Sequence, residues 1–208
     1  SKPFLLVASF LNPHDICLES STNLSSEVIG KKEGKKSLIT QCVRQMRARA
    51  AAIDSVEFYR EHAPALPFNF AKTDGFPDMK KSPYKDFPDW YWRKYRWTYG
   101  QLVALVDSHI GHILDALDRH PELKRNTIIV FTSDHGEMQG AHHTVTKNLP
   151  YDECQRVPFI FCGRGIAHGE RDNSLVCNGT DLLPTICQLA GIPLPCLLYT
   201  SDAADEAR

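Results

Sequence analysis

Three strand-length runs with no polar alternation constrain this chain most: Phe4 to Phe10, Thr127 to Phe131, and Val157 to Phe161, the last beginning at its proline. A strand with one wet face alternates apolar and polar side chains. A near-continuous apolar run instead predicts a strand covered on both faces, as in sheets flanked by helices. The segments between the runs supply helices. Leu38 to His62 is rich in Ala, Arg, Gln and Glu, all good helix formers. Leu102, Val106, Ile110, Ile113 and Leu117 recur at spacings of four, four, three and four, which makes one apolar stripe and leaves His109 and His112 facing solvent. Asp181 opens a further short helix, with Pro184 in its first turn and Gly191 as its stop. This order predicts an α/β fold with a mostly parallel central sheet flanked by helices.

The connections read differently. Glu19 to Lys36 is polar, and its lysines (Lys31, Lys32, Lys35, Lys36) read as a solvated face rather than an anion patch. Ala63 to Asp89 is proline-rich and predicts irregular chain. The aromatic continuation from Trp90 to Tyr99 reads as a long loop packed onto the core, with stacking on a sugar or aryl group as the functional alternative.

Bulk properties exclude more than they assign. A formal net charge of -1 gives no reason to expect nucleic acid or an anionic membrane as partner. No apolar run reaches the roughly 20 residues that cross a bilayer. The seven cysteines show no CxxC pair or finger spacing, so structural zinc is not expected, and most of them read as small buried apolar residues. The start at Ser1, entering at once on an apolar run, is expected of an N-terminal truncation. Residues 196–208 are expected to be a non-native tail, because Cys196 to Glu206 resembles the translation of a transposon-type sequencing adaptor.

In open α/β sheets ligands collect beyond the carboxyl ends of strands. The run ending at Phe10 leads to Asn12-Pro13-His14-Asp15, and the run ending at Phe131 leads to Thr132-Ser133-Asp134-His135-Gly136. Asp134 offers hard anionic oxygen and His135 a borderline nitrogen, together half of a divalent cation's shell. Gly136 is expected to let the backbone turn sharply beside the ion. Lys147, in the loop from Gly140 to Tyr151, supplies a compact positive charge suited to a tetrahedral oxyanion. Any one of these residues alone is better explained as ordinary loop or surface, so the argument rests on their joint occurrence.

The segment from Thr127 to Phe161 closely resembles the C-terminal signature of sulfatases. Its matching positions are Ser133-Asp134-His135-Gly136, then His142 with Lys147 five residues on, then Tyr151-Asp152-Glu153, then Arg156-Val157-Pro158. Pro3 to Asp15 resembles the family's middle motif, a strand ending in Pro-His, with His14 as its histidine. Pro64 to Phe70 is similar to the proline-rich link of that family, and Asp181 to Pro195 to its Asp-Leu-x-Pro-Thr helix. The resemblance covers Lys2 to Pro195. It implies the alkaline-phosphatase-like fold, Ca2+ (one divalent cation) bound by Asp134 and His135, and a parent enzyme that hydrolyses sulfate esters. His14 and Lys147 would be catalytic, with His142 and Lys147 binding substrate; Glu153 orients its neighbours rather than reacting. A sulfated small molecule or glycan is the implied partner, and a periplasmic, secreted or lysosomal location the implied compartment.

Two departures qualify it. The family's Cys/Ser-x-Pro-x-Arg, source of the formylglycine nucleophile, finds no match: Cys42 begins CVRQM, Cys154 CQRVP and Cys162 CGRGI. The fragment is therefore expected to be inactive, with formylglycine in the missing N-terminal part of the parent. His143 stands where the family usually has glycine. A metal-dependent phosphate or phosphonate ester hydrolase of the same superfamily, or a non-catalytic binding protein lacking the nucleophile, are the alternatives.

Overall fold

The computed structural model describes residues 3–17, 38–72 and 87–194. These fall into two compact units: residues 1–124 with 136–156, and residues 125–135 with 157–208. The lysine cluster at 31–36 and the tail at 196–208 lie outside the described residues.

The first unit is helical. Its α1 (Leu38–Ala51) ends well before His62, where one continuous helical stretch was expected. The reason is Asp54, whose extended backbone stops the helix and whose carboxylate accepts from the amides of Val56 (2.9 Å) and Glu57 (3.2 Å). Such an acceptor at an N-cap satisfies donors that would otherwise be orphaned. It starts α2 (Ser55–Glu57), which widens into a π-helical turn over Phe58–His62. The carbonyls at the end of that turn are met by Arg93, which donates to Pro64 O (3.0 Å), Ala63 O (2.7 Å) and Tyr59 O. A guanidinium has enough donors to close a helix end alone.

The main helix, α3 (Asp89–Asp118), is much longer than the stripe predicted. The aromatic segment from Trp90 to Tyr99 is its first three turns, not a loop. Tyr91, Tyr95, Thr98 and Leu102 are buried at spacings of four, three and four, so the apolar stripe begins three turns earlier than Leu102. Packing onto the core, expected of a loop, is achieved by a helix face: Trp92, Tyr95 and Leu102 are fully buried and gather Ile16, Met46 and Val145. Further along α3, His109 and His112 are exposed as the stripe predicted.

Phe4 to Phe10 forms no strand. Phe4, Leu5, Leu6 and Val7 are 69 to 75% exposed. A strand apolar on both faces needs neighbouring strands and covering helices, and among the described residues none pairs with it.

The second unit holds the described ladder. After α4 (Pro121–Arg125), β1 (Ile128–Thr132) pairs with β2 (Phe159–Gly163) in register Ile128 to Gly163 and Thr132 to Phe159. This pair is antiparallel, where parallel neighbours were expected, so its two carboxyl ends lie at opposite ends of the ladder. β2 begins just after Pro158, which cannot donate to a ladder. α5 (Asn178–Ala190) starts three residues before the expected Asp181, which places Pro184 inside the helix rather than in its first turn. The Asp181 carboxylate accepts from the N-cap Cys177 amide at 2.6 Å, and Gly191 closes the helix in the left-handed conformation. No helix among the described residues is long and apolar enough to cross a membrane.

The cysteines depart from expectation. Of those described, Cys154 and Cys187 are buried, Cys17 and Cys42 half-buried, and Cys162 and Cys177 exposed. The exposed two sit at the end of β2 and at a helix N-cap, positions where a backbone end meets water whatever the side chain.

Candidate functional site

In the first unit, His14 lies in a tight turn opened by the cis Asn12–Pro13 peptide and closed by Ile16 N to Pro13 O (3.0 Å) and Cys17 N to His14 O (3.1 Å). The turn sinks Asp15 and Ile16, each 1% exposed, and leaves His14 at the surface. The Asn12 amide nitrogen, turned toward Asp15, donates to both carboxylate oxygens at 2.6 and 2.7 Å. His14 Nδ1 is 3.8 Å from the Cys17 sulfur. Burial pushes the Cys17 thiol up, the positive charge of Lys147 works against that, and Glu137 and Asp15 reinforce it. His14 thus lies beside the Cys17 sulfur, and the charge of Lys147 is felt at the same thiol.

Burial also raises the Asp15 carboxyl, against its own backbone hydrogen bond and the charge of His14. A carboxyl held above its ordinary value binds its proton more tightly folded than unfolded. Its contribution to stability is present at low pH and lost as pH rises through the folded value. Asp15→Asn is therefore expected to flatten the acid-side dependence of the melting temperature, read by thermal scans of both proteins across that range; parallel profiles would contradict this.

The loop that carries Lys147 is unusually constrained. Met138 N donates to Thr146 O (2.9 Å) and Gly140 N to Thr144 O (2.8 Å), which closes a compact turn. Gln139, Gly140, His142, His143 and Thr146 all have positive φ. At Gly140 this costs little, and any Cβ there would sit 3.2 Å from the Trp92 ring. His143 takes φ 57, the conformation that glycine tolerates best, and is held by stacking on Phe70 (4.4 Å) and edge-on to Trp92 (5.1 Å). The departure from glycine is thus accommodated by aromatic packing. Buried Glu137 secures the base of the loop by accepting from the Tyr95 hydroxyl (2.9 Å) and the Thr146 amide (2.5 Å). Burial raises its carboxyl, while those two bonds and the charge of Lys147 pull the other way.

Gly136 was expected to provide a sharp turn. Its φ is not positive, and the need is space: a Cβ would lie 2.0 Å from the Glu153 carbonyl oxygen. The two backbones meet there through Gly136 N to Cys154 O (2.7 Å) and Glu137 N to Glu153 O (3.0 Å). Gly136→Ala must break this contact, with an expected loss of about 1 to 3 kcal/mol in denaturant unfolding; an unchanged midpoint would contradict the close approach.

His142 is half-buried in the same loop. Its Nδ1 is 2.6 Å from Lys72 O, its Nε2 is 3.2 Å from Asn69 Nδ2, and its ring stacks on Tyr151 at 3.9 Å. Asn69 Nδ2 also donates to Glu153 Oε1 at 2.7 Å. Glu153 thus orients a neighbour, as its sequence context implied. Asn69 and Glu137 were not singled out by sequence, and Tyr95 was read only as one of the packed aromatics of the Trp90 to Tyr99 segment; Asn69 lies one residue inside the noted Pro64 to Phe70 segment.

Asp134 and His135 belong to the second unit. Asp134 is highly exposed; its Oδ2 is 3.3 Å from His135 Nε2, and its Oδ1 accepts from the His135 amide (3.0 Å) and faces the Ser133 hydroxyl (3.4 Å). Its slight burial raises the carboxyl, but the positive charge of His135 and these hydrogen bonds prevail and hold it below its ordinary value. Asn178, at the start of α5, donates to Ser133 O. A shallow cavity of about 350 Å3 opens beside them, lined by Thr132, Ser133, Asp134, Asn178, Gly179 and Leu182. An ionised, outward carboxylate next to an imidazole nitrogen fits two positions of a divalent cation's shell. Among the described residues no three such side chains cluster, so these two do not complete a shell.

The sulfatase family model matches residues 1–192. The chain is 31% identical to the delta 4,5-hexuronate-2-O-sulfatase of Bacteroides thetaiotaomicron, with 93% of this chain and 37% of that protein covered. A solved 2-O GAG sulfatase shares its fold with TM-score 0.56 and 25% identity, over 95% of this chain and 46% of that one. A second structure, solved with its substrate D-glucosamine-2-N,6-O-disulfate, matches with TM-score 0.50 and 34% identity over 58% of this chain and 25% of that one. The chain spans less than half the length of these relatives. Its fold class is accordingly the α/β, alkaline-phosphatase-like class of those structures, and the chain belongs to the sulfatase family.

Proposed function

We propose that this chain is the middle and C-terminal part of an enzyme that hydrolyses sulfate monoesters, and that its substrate is a sulfated glycan. The observation that supports the reading is the match of the family model across residues 1–192, within which His14 lies beside the Cys17 sulfur and the charge of Lys147 acts on the same thiol. The substrate class follows from two relatives, one named for a hexuronate 2-O-sulfate and one bound to a sulfated glucosamine.

The Lys147 ammonium would bind sulfuryl oxygens and stabilise the charge that develops on them. His14, exposed and free of buried packing, would donate a proton to the departing ester oxygen. Asp134 and His135 would hold a calcium ion, which supplies neutralisation of sulfate oxygens. The rigid 138–146 turn would keep Lys147 in place, and His142 would lie toward the substrate rim. No Cys/Ser-x-Pro-x-Arg occurs in the 208 residues, so the nucleophile would come from the longer protein, and the 208-residue chain alone would be inactive.

The test compares release of inorganic sulfate from an O-sulfated disaccharide with release of phosphate from its phosphorylated analogue by the longer protein, with and without a calcium chelator. Sulfate release that the chelator removes is expected. Faster cleavage of the phosphate ester would move the assignment to a phosphate or phosphonate hydrolase, and turnover of neither to a binding protein.

A further inference from the structure

The contacts of Asn69 define a relay whose chemistry is fixed by elimination. An ionised Glu153 carboxylate only accepts, so the amide edge 2.7 Å from it must be the NH2 group. The same nitrogen is 3.2 Å from His142 Nε2, within reach of its second hydrogen. A nitrogen that faces a donor presents its lone pair and carries no proton while the contact lasts. The other ring nitrogen, Nδ1, faces the Lys72 carbonyl at 2.6 Å, an acceptor that requires Nδ1–H. His142 is therefore read as a neutral imidazole protonated on Nδ1 alone, with its amide anchored as well through His142 N to Asn69 O (3.2 Å). Among the described residues, the groups that face it are the Lys72 carbonyl, the Asn69 amide backed by Glu153, and the Tyr151 ring stacked flat on its own ring at 3.9 Å.

We propose that Asn69 and Glu153 are positioning residues that lock His142 in its Nδ1–H neutral form, and that the locked ring fixes the left-handed turn from which Lys147 is presented. His142 has φ 52, and a residue with a Cβ stays in that region only where its surroundings hold it. Asn69 is 5% exposed and reaches across from the proline-rich link, so the relay ties that link to the turn. Glu153 also carries the carbonyl that Gly136 packs against, so this residue braces the loop at its Gly136 end and, through Asn69, at His142. The consequence for Lys147 rests on the sulfatase reading; the state of His142 does not.

The experiment is nitrogen-15 NMR of the histidine side chains in the intact chain, with His142 assigned through His142→Gln. At neutral pH the wild type is expected to show a single His142 species with a protonated Nδ1 and a bare Nε2. Glu153→Gln, which keeps an accepting oxygen, should preserve that species. Glu153→Ala frees the Asn69 amide to turn over and should bring in the Nε2–H form; Asn69→Ala should lose the single-species signature, with Nε2 taking up a proton. A wild-type ring protonated on Nε2, or a His142 signature identical in all folded variants, overturns the relay without reference to any variant that fails to fold. In the longer protein, Asn69→Ala should lower turnover on a sulfate ester and Glu153→Gln should retain it. Absence of sulfate release from the wild type would instead count against the sulfatase reading and leave the NMR outcome standing.

Discussion

Lys147→Ala and His14→Ala, each made in the longer protein, are expected to lower turnover on a sulfate ester at least about tenfold while leaving the fold intact. A hydrogen bond to a charged group contributes about 1.5 to 3 kcal/mol. At about 1.36 kcal/mol per decade, loss of the Lys147 ammonium from the transition state corresponds to roughly ten- to a hundredfold in rate. A positioned proton donor contributes about 10²- to 10⁴-fold, so His14→Ala should be the larger effect on an ester with a poor leaving group and the smaller on an activated aryl sulfate. Neither side chain belongs to the buried core: His14 is exposed and Lys147 half-buried. Steady-state kinetics with unchanged melting temperatures would bear this out; wild-type rates in both variants would remove these residues from the chemistry.

The largest expected effect on stability is at Trp92. Its side chain is fully buried, donates from Nε1 to Phe87 O at 3.2 Å, and meets Phe70 and His143 edge-on at 5.5 and 5.1 Å. Truncating a buried aromatic of this size removes its transfer energy and leaves a cavity, about 3 to 5 kcal/mol together. The cavity would open beneath Gly140 and His143, the strained turn that carries Lys147. Trp92→Ala should therefore lower the denaturation midpoint and, where protein remains folded, reduce turnover as well. An equilibrium unfolding curve indistinguishable from wild type would show that the ring is not part of the core.

What the sequence made legible follows the range of the forces involved. β1 and β2 were readable as strands because each is an apolar run of strand length, but the covering expected on both faces is not found. No residue of either is buried, and Phe131 and Ile160 are 40 and 52% exposed, since the two-stranded ladder has no further described strand beside it. The second half of α3 was readable because a single stripe spans Leu102 to Leu117. Its first half was not, since the dense aromatics from Trp90 to Tyr99 fill several faces and hide the spacing of Tyr91, Tyr95 and Leu102. Phe4 to Phe10 has the composition of an inner strand, but pairing is a property of neighbours, and none is described beside it. The break at Asp54 was local and visible in principle as an N-cap; it was masked by the good helix formers on its left.

The site divides in the same way. Asp134, His135 and Lys147 were named from their residue types beyond a strand end, and His142 from the resemblance, all within one short stretch of sequence. Asn69 pairs with His142 and Glu153 across 73 and 84 residues, and Tyr95 with Glu137 across 42, separations at which no periodicity or motif can signal a hydrogen bond. Gly136 was recognised, but for backbone freedom; the approach of the Glu153 carbonyl is a tertiary fact.

Titration of the intact chain with inorganic sulfate, followed by the NMR signals of the Lys147 ammonium and the His14 ring, tests the shared-anion claim most directly. Both signals should move together with one midpoint, and both movements should vanish in Lys147→Ala. Independent midpoints, or a response of one residue while the other stays still, would mean that the two do not serve a common tetrahedral anion.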